Sequence, residues 1–375
     1  MIQKIWFTLV WCYIKIGLFF YSKKITVIGK NNIPKKGAVL FAVNHPNGLV
    51  DPLYVTTTNS RQNHFLVRAA SFKNPFIKKI LASLYLMPIY RIRDGIKQLS
   101  NNEEIFNKCH QILHKGETLM IFPEGSHDKK RTIRPLSKGF TRIVSGALEK
   151  YKNLEITVIP VGITYQHPSH FPAKVTVNYG KPILTRKIFK ENTSPKAINI
   201  LKEKVSNQLQ NLSVHIPDDE NYAEILQKLT TAQVNFTEVS AVNKMIKSNS
   251  FSEKKTLKKD YLKPIYYLII LNSIFPYLIW KQALKKIDEI EFIDTFRFSL
   301  NLFLFSFFYI LQGSIVGYFY GTLVGVFYIT LSALLVVMYV KFAPTNALEH
   351  KEFTEASKKA KPRLNGLFKL SRFFA

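Results

Sequence analysis

Ala38–Pro52 reads AVLFAVNHPNGLVDP. Its first six residues, Ala38–Val43, are an apolar run of strand length that stops at Asn44, so the run reads as a strand and His45 as the residue at its exit. Asp51 follows one short loop later. A carboxylate on one imidazole nitrogen fixes the tautomer and stabilises the imidazolium, which leaves the other nitrogen to act as a general base. The residue types and their order therefore point to proton-transfer chemistry at the end of a strand.

Around this stretch, short apolar runs alternate with amphipathic ones, the trace of an α/β domain. Strands are predicted over Lys24–Ile28, Ala38–Val43, Phe65–Val67, Thr118–Phe122, Ile156–Val161 and Lys174–Tyr179, and helices over Pro75–Leu86, Ile96–His114, Ser137–Tyr151 and Pro195–Leu212. A second polar cluster follows the strand Thr118–Phe122. It runs Phe122-Pro123-Glu124-Gly125-Ser126-His127-Asp128, with Arg131, Arg134 and Lys138-Gly139 just downstream. Pro and Gly around an acidic residue make a tight turn, and the basic groups with backbone N–H donors suit a phosphate. A third feature, Met87-Pro88-Ile89-Tyr90-Arg91-Ile92-Arg93-Asp94, puts arginines after an apolar run, and a fourth, Val158-Ile159-Pro160-Val161-Gly162, is a buried strand with a proline kink.

Composition limits the setting. Fifty-three Lys+Arg against 25 Asp+Glu give a net charge of +28, while 47% hydrophobic and 13% aromatic residues are too many for a disordered basic tail, so the chain folds and its surface seeks anions. With only Cys12 and Cys109, no disulfide framework is available and a reducing compartment is expected. Residues 1–22 carry aromatic and apolar side chains at helical spacing (Trp6, Phe7, Val10, Trp11, Ile14, Leu18, Tyr21) without a small-residue cleavage site, which predicts an uncleaved helix in the membrane interface. Residues 23–212 then form the α/β domain, 213–263 a polar and partly helical linker, 264–342 membrane segments and 343–375 a basic tail. Leu302–Phe342 is twice the length of one span and is predicted to be a hairpin bending near Gly317–Gly325; Pro264–Trp280 is expected to be interfacial or re-entrant.

Taken in order, these four blocks resemble the glycerolipid acyltransferase family, typified by 1-acyl-glycerol-3-phosphate and glycerol-3-phosphate acyltransferases. The resemblance covers about Asn44 to Gly162 by motif. It implies a mixed-sheet α/β acyltransferase domain with an N-terminal membrane-interface helix and a C-terminal transmembrane helical hairpin. It also implies that His45 and Asp51 are the catalytic pair, with Phe65–Pro75 and Arg91 the second block, Phe122–Ser126 the third and Ile159–Val161 the fourth. Asn44, Arg68, Arg91, Glu124, Gly125, Ser126, Arg131, Arg134 and Lys138 become the substrate-binding candidates. The commonest first block separates His and Asp by four residues, whereas five intervene here, as in relatives that resemble glycerol-3-phosphate or dihydroxyacetone-phosphate acyltransferases. The third block reads Gly-Ser-His where many relatives have Gly-Thr-Arg, which passes the phosphate-binding role to Arg131 or Arg134. The expected co-substrate is acyl-CoA or acyl-carrier protein, with no further cofactor and no metal. The expected partners are membrane lipids and a phosphorylated glycerol acceptor, with the catalytic domain on the cytoplasmic face.

Other readings are weaker. His110 and His114 share a helix face but lack a third ligand and the Glu of a zinc helix motif. There is no Gly-x-Ser-x-Gly turn for a serine hydrolase. A basic chain also suits nucleic acid, yet it has membrane segments and no recognisable recognition module, so nucleic acid is not an expected partner. A membrane scaffold that kept the fold and lost the activity is the other non-enzyme reading, and an intact His45 and Asp51 speak against it.

Overall fold

The computed structural model describes residues 2–90, 100, 102–251, 256, 258–287 and 292–347. The first half of the chain runs α1 (Ile2–Tyr21), β1 (Ser22–Ile28), β2 (Ala38–Val43), α2 (Val50–Thr58), β3 (Asn63–Arg68), α3 (Pro75–Ser83), β4 (Leu86–Ile89), α4 (Asn102–His114), β5 (Thr118–Ile121) and α5 (Gly139–Lys150). Then come β6 (Ile156–Tyr165), β7 (Ala173–Tyr179), β8 (Ile183–Leu184), α6 (Thr185–Glu191) and α7 (Ser194–Leu212). The remainder is helical: α8 (Tyr222–Thr231), α9 (Val239–Ser248), α10 (Lys263–Asn272), α11 (Ile274–Leu284), α12 (Ile293–Tyr320) and α13 (Thr322–Phe342).

The sheet has the order β1-β7-β6-β2-β5-β3-β4, with β8 beside β6. It is mixed: β6 runs antiparallel to β7 and β8, and every other pairing is parallel. β2 lies near its middle, between β6 and β5, and is buried throughout because both of its faces are covered. Successive side chains of a strand point to opposite faces. Ala38, Leu40 and Ala42 accordingly join Cys109, Leu113, Phe140, Val144 and Leu201 from α4, α5 and α7. Val39, Phe41 and Val43 join Tyr54 and Val55 of α2, Leu18 of α1 and Phe298 of α12 on the other face. Pro160 is tolerated inside β6 because it falls between the short ladder to β8 at Thr157–Val158 and the ladder to β7 that begins at Val161, where no N–H is required.

Three differences from the sequence reading have physical causes. α2 carries Thr56, Thr57 and Thr58, poor helix formers whose hydroxyls bond back to the carbonyls of Pro52, Leu53 and Tyr54, and it is held by burial of its apolar side. Most of the segment read as a polar linker is folded: Val214, Ile216, Leu226, Leu229, Phe236 and Val242 gather into a small core under α8 and α9. Its seam with the sheet is a hydrogen-bonded one, through Gln166 to the backbone of Val234 and Phe236. Finally, α12 starts nine residues before the apolar stretch that announced it, because its polar first turn is bonded into the α/β domain.

Ile2–Tyr21, Ile293–Tyr320 and Thr322–Phe342 are long and apolar enough to cross a membrane. α1 touches the domain along its length, through Gln3 and Trp6 to Ser83 and Trp11 to the Thr56 carbonyl, while Ile2, Ile5, Leu9, Ile16 and Phe19 stay exposed along one face. α12 and α13 form the hairpin, and its bend is at Gly321, whose φ of +95° suits glycine. A Cβ on Gly325 would come within 2.4 Å of the Gly313 carbonyl oxygen, so the glycine stripe lets the two backbones meet. α10 and α11 meet at Ser273 and each reaches only about 15 Å, half of a bilayer core.

Candidate active site

Parallel neighbours end at the same edge of a sheet, and in open α/β sheets that carboxyl edge is where ligands bind. β2 delivers Asn44 and His45 there, and β5 delivers the turn Phe122–Ser126. β6 continues past the end of β2 to place Ile163 and Tyr165 beside them, and β3 ends at Arg68 on the same edge. Asn44 fastens this edge by accepting from the Ile163 N–H at 2.7 Å and donating to the Ile163 carbonyl at 3.1 Å.

His45 Nδ1 lies 2.8 Å from Asp51 Oδ2, and the pair expected from sequence is formed. Asp51 is fully buried and has two further donors: the Asn47 backbone N–H to Oδ2 at 2.7 Å and the Tyr165 hydroxyl to Oδ1 at 2.6 Å. Burial and the Asp51 charge hold the Tyr165 hydroxyl well above the usual phenol range, so it stays a donor. A carboxylate supplied in this way accepts from Nδ1–H and directs the lone pair of the imidazole to Nε2. The ring stacks on Phe122, with centroids 4.0 Å apart, and His127 stands edge-on at 5.6 Å.

The Glu124 turn is built around Arg134. Arg134 Nε donates to Glu124 Oε2 at 2.7 Å, Nη1 to Ser126 Oγ at 2.6 Å and Nη2 to the Ser126 carbonyl. Burial raises the Glu124 carboxyl above its ordinary range, opposed by Arg134 and by backbone N–H groups that include that of His45. Gly125 supplies the turn's positive φ of +75°. Arg134 therefore shapes the turn, and its donors face the protein. Arg131 does the same elsewhere: it donates to the carbonyls of Tyr165 at 3.0 Å and Gln166 at 2.9 Å, with its guanidinium 3.6 Å over the Phe236 ring. Burial lowers it to about 10. We expect Arg131→Ala to cost about 2–4 kcal/mol of stability, because two carbonyls lose their donor and the Phe236 ring of the α8–α9 unit loses the guanidinium packed on it. The acceptor KM should stay within twofold; chemical unfolding beside kinetics checks this, and a large KM rise in a protein of unchanged stability would restore the phosphate role.

Lys138 and Arg68 are exposed at this edge, and Lys138 sits next to Ser137, whose N–H donates to the Pro123 carbonyl of the turn at 2.7 Å. Arg91 lies outside the described residues. His110 and His114 face α5: a Cβ on Gly146 would come within 2.7 Å of the His110 ring, and His114 stacks on Tyr151 at 3.9 Å. Among the described residues no three His, Cys, Asp or Glu side chains gather as metal ligands.

The sequence reading missed Asn47, Tyr165 and Asp294. Asp294 of α12 is fully buried and accepts from Tyr21 OH at 2.7 Å, Asn47 Nδ2 at 2.8 Å and Arg297 Nη1 at 2.9 Å. Its only sequence signal is an acid shortly before a membrane segment.

With the site's geometry in hand, comparison with known proteins is informative. The model of the family described as Acyltransferase matches residues 24–164, from within β1 to within β6. Those residues form an acyltransferase domain. Over 121 residues the acyltransferase domain is 26% identical to glycerol-3-phosphate O-acyltransferase 1 of Saccharomyces cerevisiae, covering 31% of this chain and 16% of that protein. Over 126 residues it is 30% identical to the 1-acyl-sn-glycerol-3-phosphate acyltransferase of Borreliella burgdorferi, covering 34% of this chain and 48% of that one. The chain thus spans a sixth of the yeast relative and about half of the bacterial one. The crystal structure of the 1-acyl-sn-glycerophosphate acyltransferase PlsC from Thermotoga maritima superposes with a TM-score of 0.42 at 18% identity, over 58% of this chain and 83% of that one.

Proposed function

We propose that the chain is a membrane-bound O-acyltransferase that moves a fatty acyl group from the thioester of acyl-CoA or acyl-carrier protein to a hydroxyl of glycerol-3-phosphate or 1-acyl-glycerol-3-phosphate. The observation that carries this is the His45–Asp51 pair, with Asp51 buried and triply hydrogen-bonded at the carboxyl edge of the sheet. His45 Nε2 takes the proton of the acceptor hydroxyl as its oxygen attacks the thioester carbon. The C–S bond then breaks, and the imidazolium returns the proton to the leaving thiolate. Asp51 balances the imidazolium charge, and no acyl-enzyme forms. The five-residue spacing between His45 and Asp51 and the yeast relative's printed activity favour glycerol-3-phosphate; the bacterial relative's name favours the monoacyl acceptor.

For the acceptor phosphate, the exposed Lys138 beside the Glu124 turn is the cation we assign, with Arg68 at the end of β3; Arg91, two residues after β4 in the sequence, is the further candidate. Lys138→Ala should raise the KM for a phosphorylated acceptor by about 10–100-fold, the size of a lost charge-assisted bond, and leave that for unphosphorylated monoacylglycerol unchanged. Equal effects on both acceptors would contradict the assignment. The excess of Lys and Arg suits anionic headgroups, and we place the catalytic domain on the cytoplasmic face.

A further inference from the structure

The loop between His45 and Asp51 is held from outside the acyltransferase domain. Asn47 is fully buried and joins two carboxylates: its backbone N–H bonds to Asp51 Oδ2, the oxygen that faces His45, and its side-chain Nδ2 bonds to Asp294 Oδ2. The amide orientation follows from charge. Turned over, its oxygen would face the Asp294 carboxylate, so Nδ2 takes that side and Oδ1 is left buried without a partner. Two residues on, the Leu49 N–H donates to Thr295 Oγ1 at 3.0 Å. Both tethers come from the first turn of α12, which is itself fixed by Tyr21 at the end of α1 and by Arg297, bonded to Asp294 and to the Ser169 carbonyl of the β6–β7 loop.

We propose that Asp294 and Thr295 are positioning residues for acyl transfer: the first turn of the membrane hairpin sets the loop that aligns His45 with Asp51, so the hairpin is part of the active site as well as an anchor. The inference rests on the acyl-transfer reading above. A network that only stabilised the fold would have no reason to end on the backbone of the loop between the two reacting groups. Loops of this kind lose catalysis steeply when displaced, on the order of 10²-fold for about 1 Å.

The test uses full-length protein in detergent, wild type beside Asp294→Asn, Thr295→Val and Thr295→Ser, with kcat, KM and the pH profile of kcat/KM. Asp294→Asn should lower kcat by about 10²-fold with the acyl-donor KM within twofold, and Thr295→Val by roughly tenfold, with Thr295→Ser near wild type. The pH profile separates positioning from mere stability. The charged and titratable groups facing His45 are Asp51, Glu124 through the His45 N–H, and His127, with Tyr165 and Asp294 acting through Asp51 and Asn47. Loosening Asn47 weakens its N–H bond to Asp51, which then presents more charge to the imidazolium. In Thr295→Val, which changes no charge, the acid limb should therefore move to higher pH, whereas a loss of folded protein lowers the whole profile without moving it; in Asp294→Asn the lost carboxylate and the unbalanced Arg297 push the limb the other way, so that variant is read on kcat. An unmoved limb in Thr295→Val and unchanged kcat in both variants, beside an active wild type, would overturn the inference and leave the acyl-transfer reading standing. An inactive wild type would overturn that reading instead. If Asp294→Asn does not fold, Thr295→Val decides alone, since it removes one hydroxyl from a partly exposed position.

Discussion

His45→Ala is expected to reduce acyl transfer by about 10²–10⁴-fold while the protein remains folded, the range general-base assistance typically supplies. The fold should survive because the ring sits at the mouth of the sheet, stacked on Phe122, and because its removal still leaves the buried Asp51 with donors from Asn47 and Tyr165. The remaining rate would come from holding donor and acceptor together. Initial rates with saturating acyl donor, beside a thermal unfolding curve, check both halves. A variant within threefold of wild type would remove the imidazole from the mechanism.

Asp51→Asn should cost nearly as much, through the tautomer. An amide has one acceptor and one donor end, while Asp51 serves three donors with two oxygens. If the amide oxygen keeps Tyr165, its NH2 faces His45 Nδ1 and donates to it, which moves the imidazole proton to Nε2 and removes the lone pair the reaction needs. We expect a loss of about 10²–10⁴-fold in kcat with little change in acceptor KM. Because the two residues act as one unit, the double variant His45→Ala/Asp51→Asn should be no slower than His45→Ala alone, and additive losses would show that they act separately.

The pair could be read from sequence because His45, at the exit of an unmistakably buried strand, and Asp51, in the first turn of α2, flank one short loop. Their surroundings could not. Tyr165 and Asp294 reach the loop from 114 and 247 residues away, and nothing in local pattern announces such bonds. Arg131 and Arg134 show another limit: a guanidinium after a Gly-Ser turn suits a phosphate, but backbone carbonyls and Glu124 compete for the same donors, and only the fold shows which acceptor is nearer. The α/β order and the strands were legible because parallel strands covered on both faces are continuous apolar runs. The segment Val214–Val242 was not, since its apolar residues are spaced among charges and reveal a core only when α8 and α9 bring them together. The start of α12 was hidden for a related reason, as its first turn is polar and bonds Asn47 and Leu49 of the loop between His45 and Asp51.

The most direct test of the central claim is to follow a labelled acyl group and the released thiol together, with purified full-length protein in detergent. Acyl-CoA and acyl-carrier protein would be offered in turn with glycerol-3-phosphate, monoacylglycerol-3-phosphate and other lysolipids. The account predicts thiol release matched one for one by acylation of a phosphorylated glycerol acceptor, both lost in His45→Ala. Thiol release without acylated acceptor, or no transfer from either donor by folded protein, would contradict it.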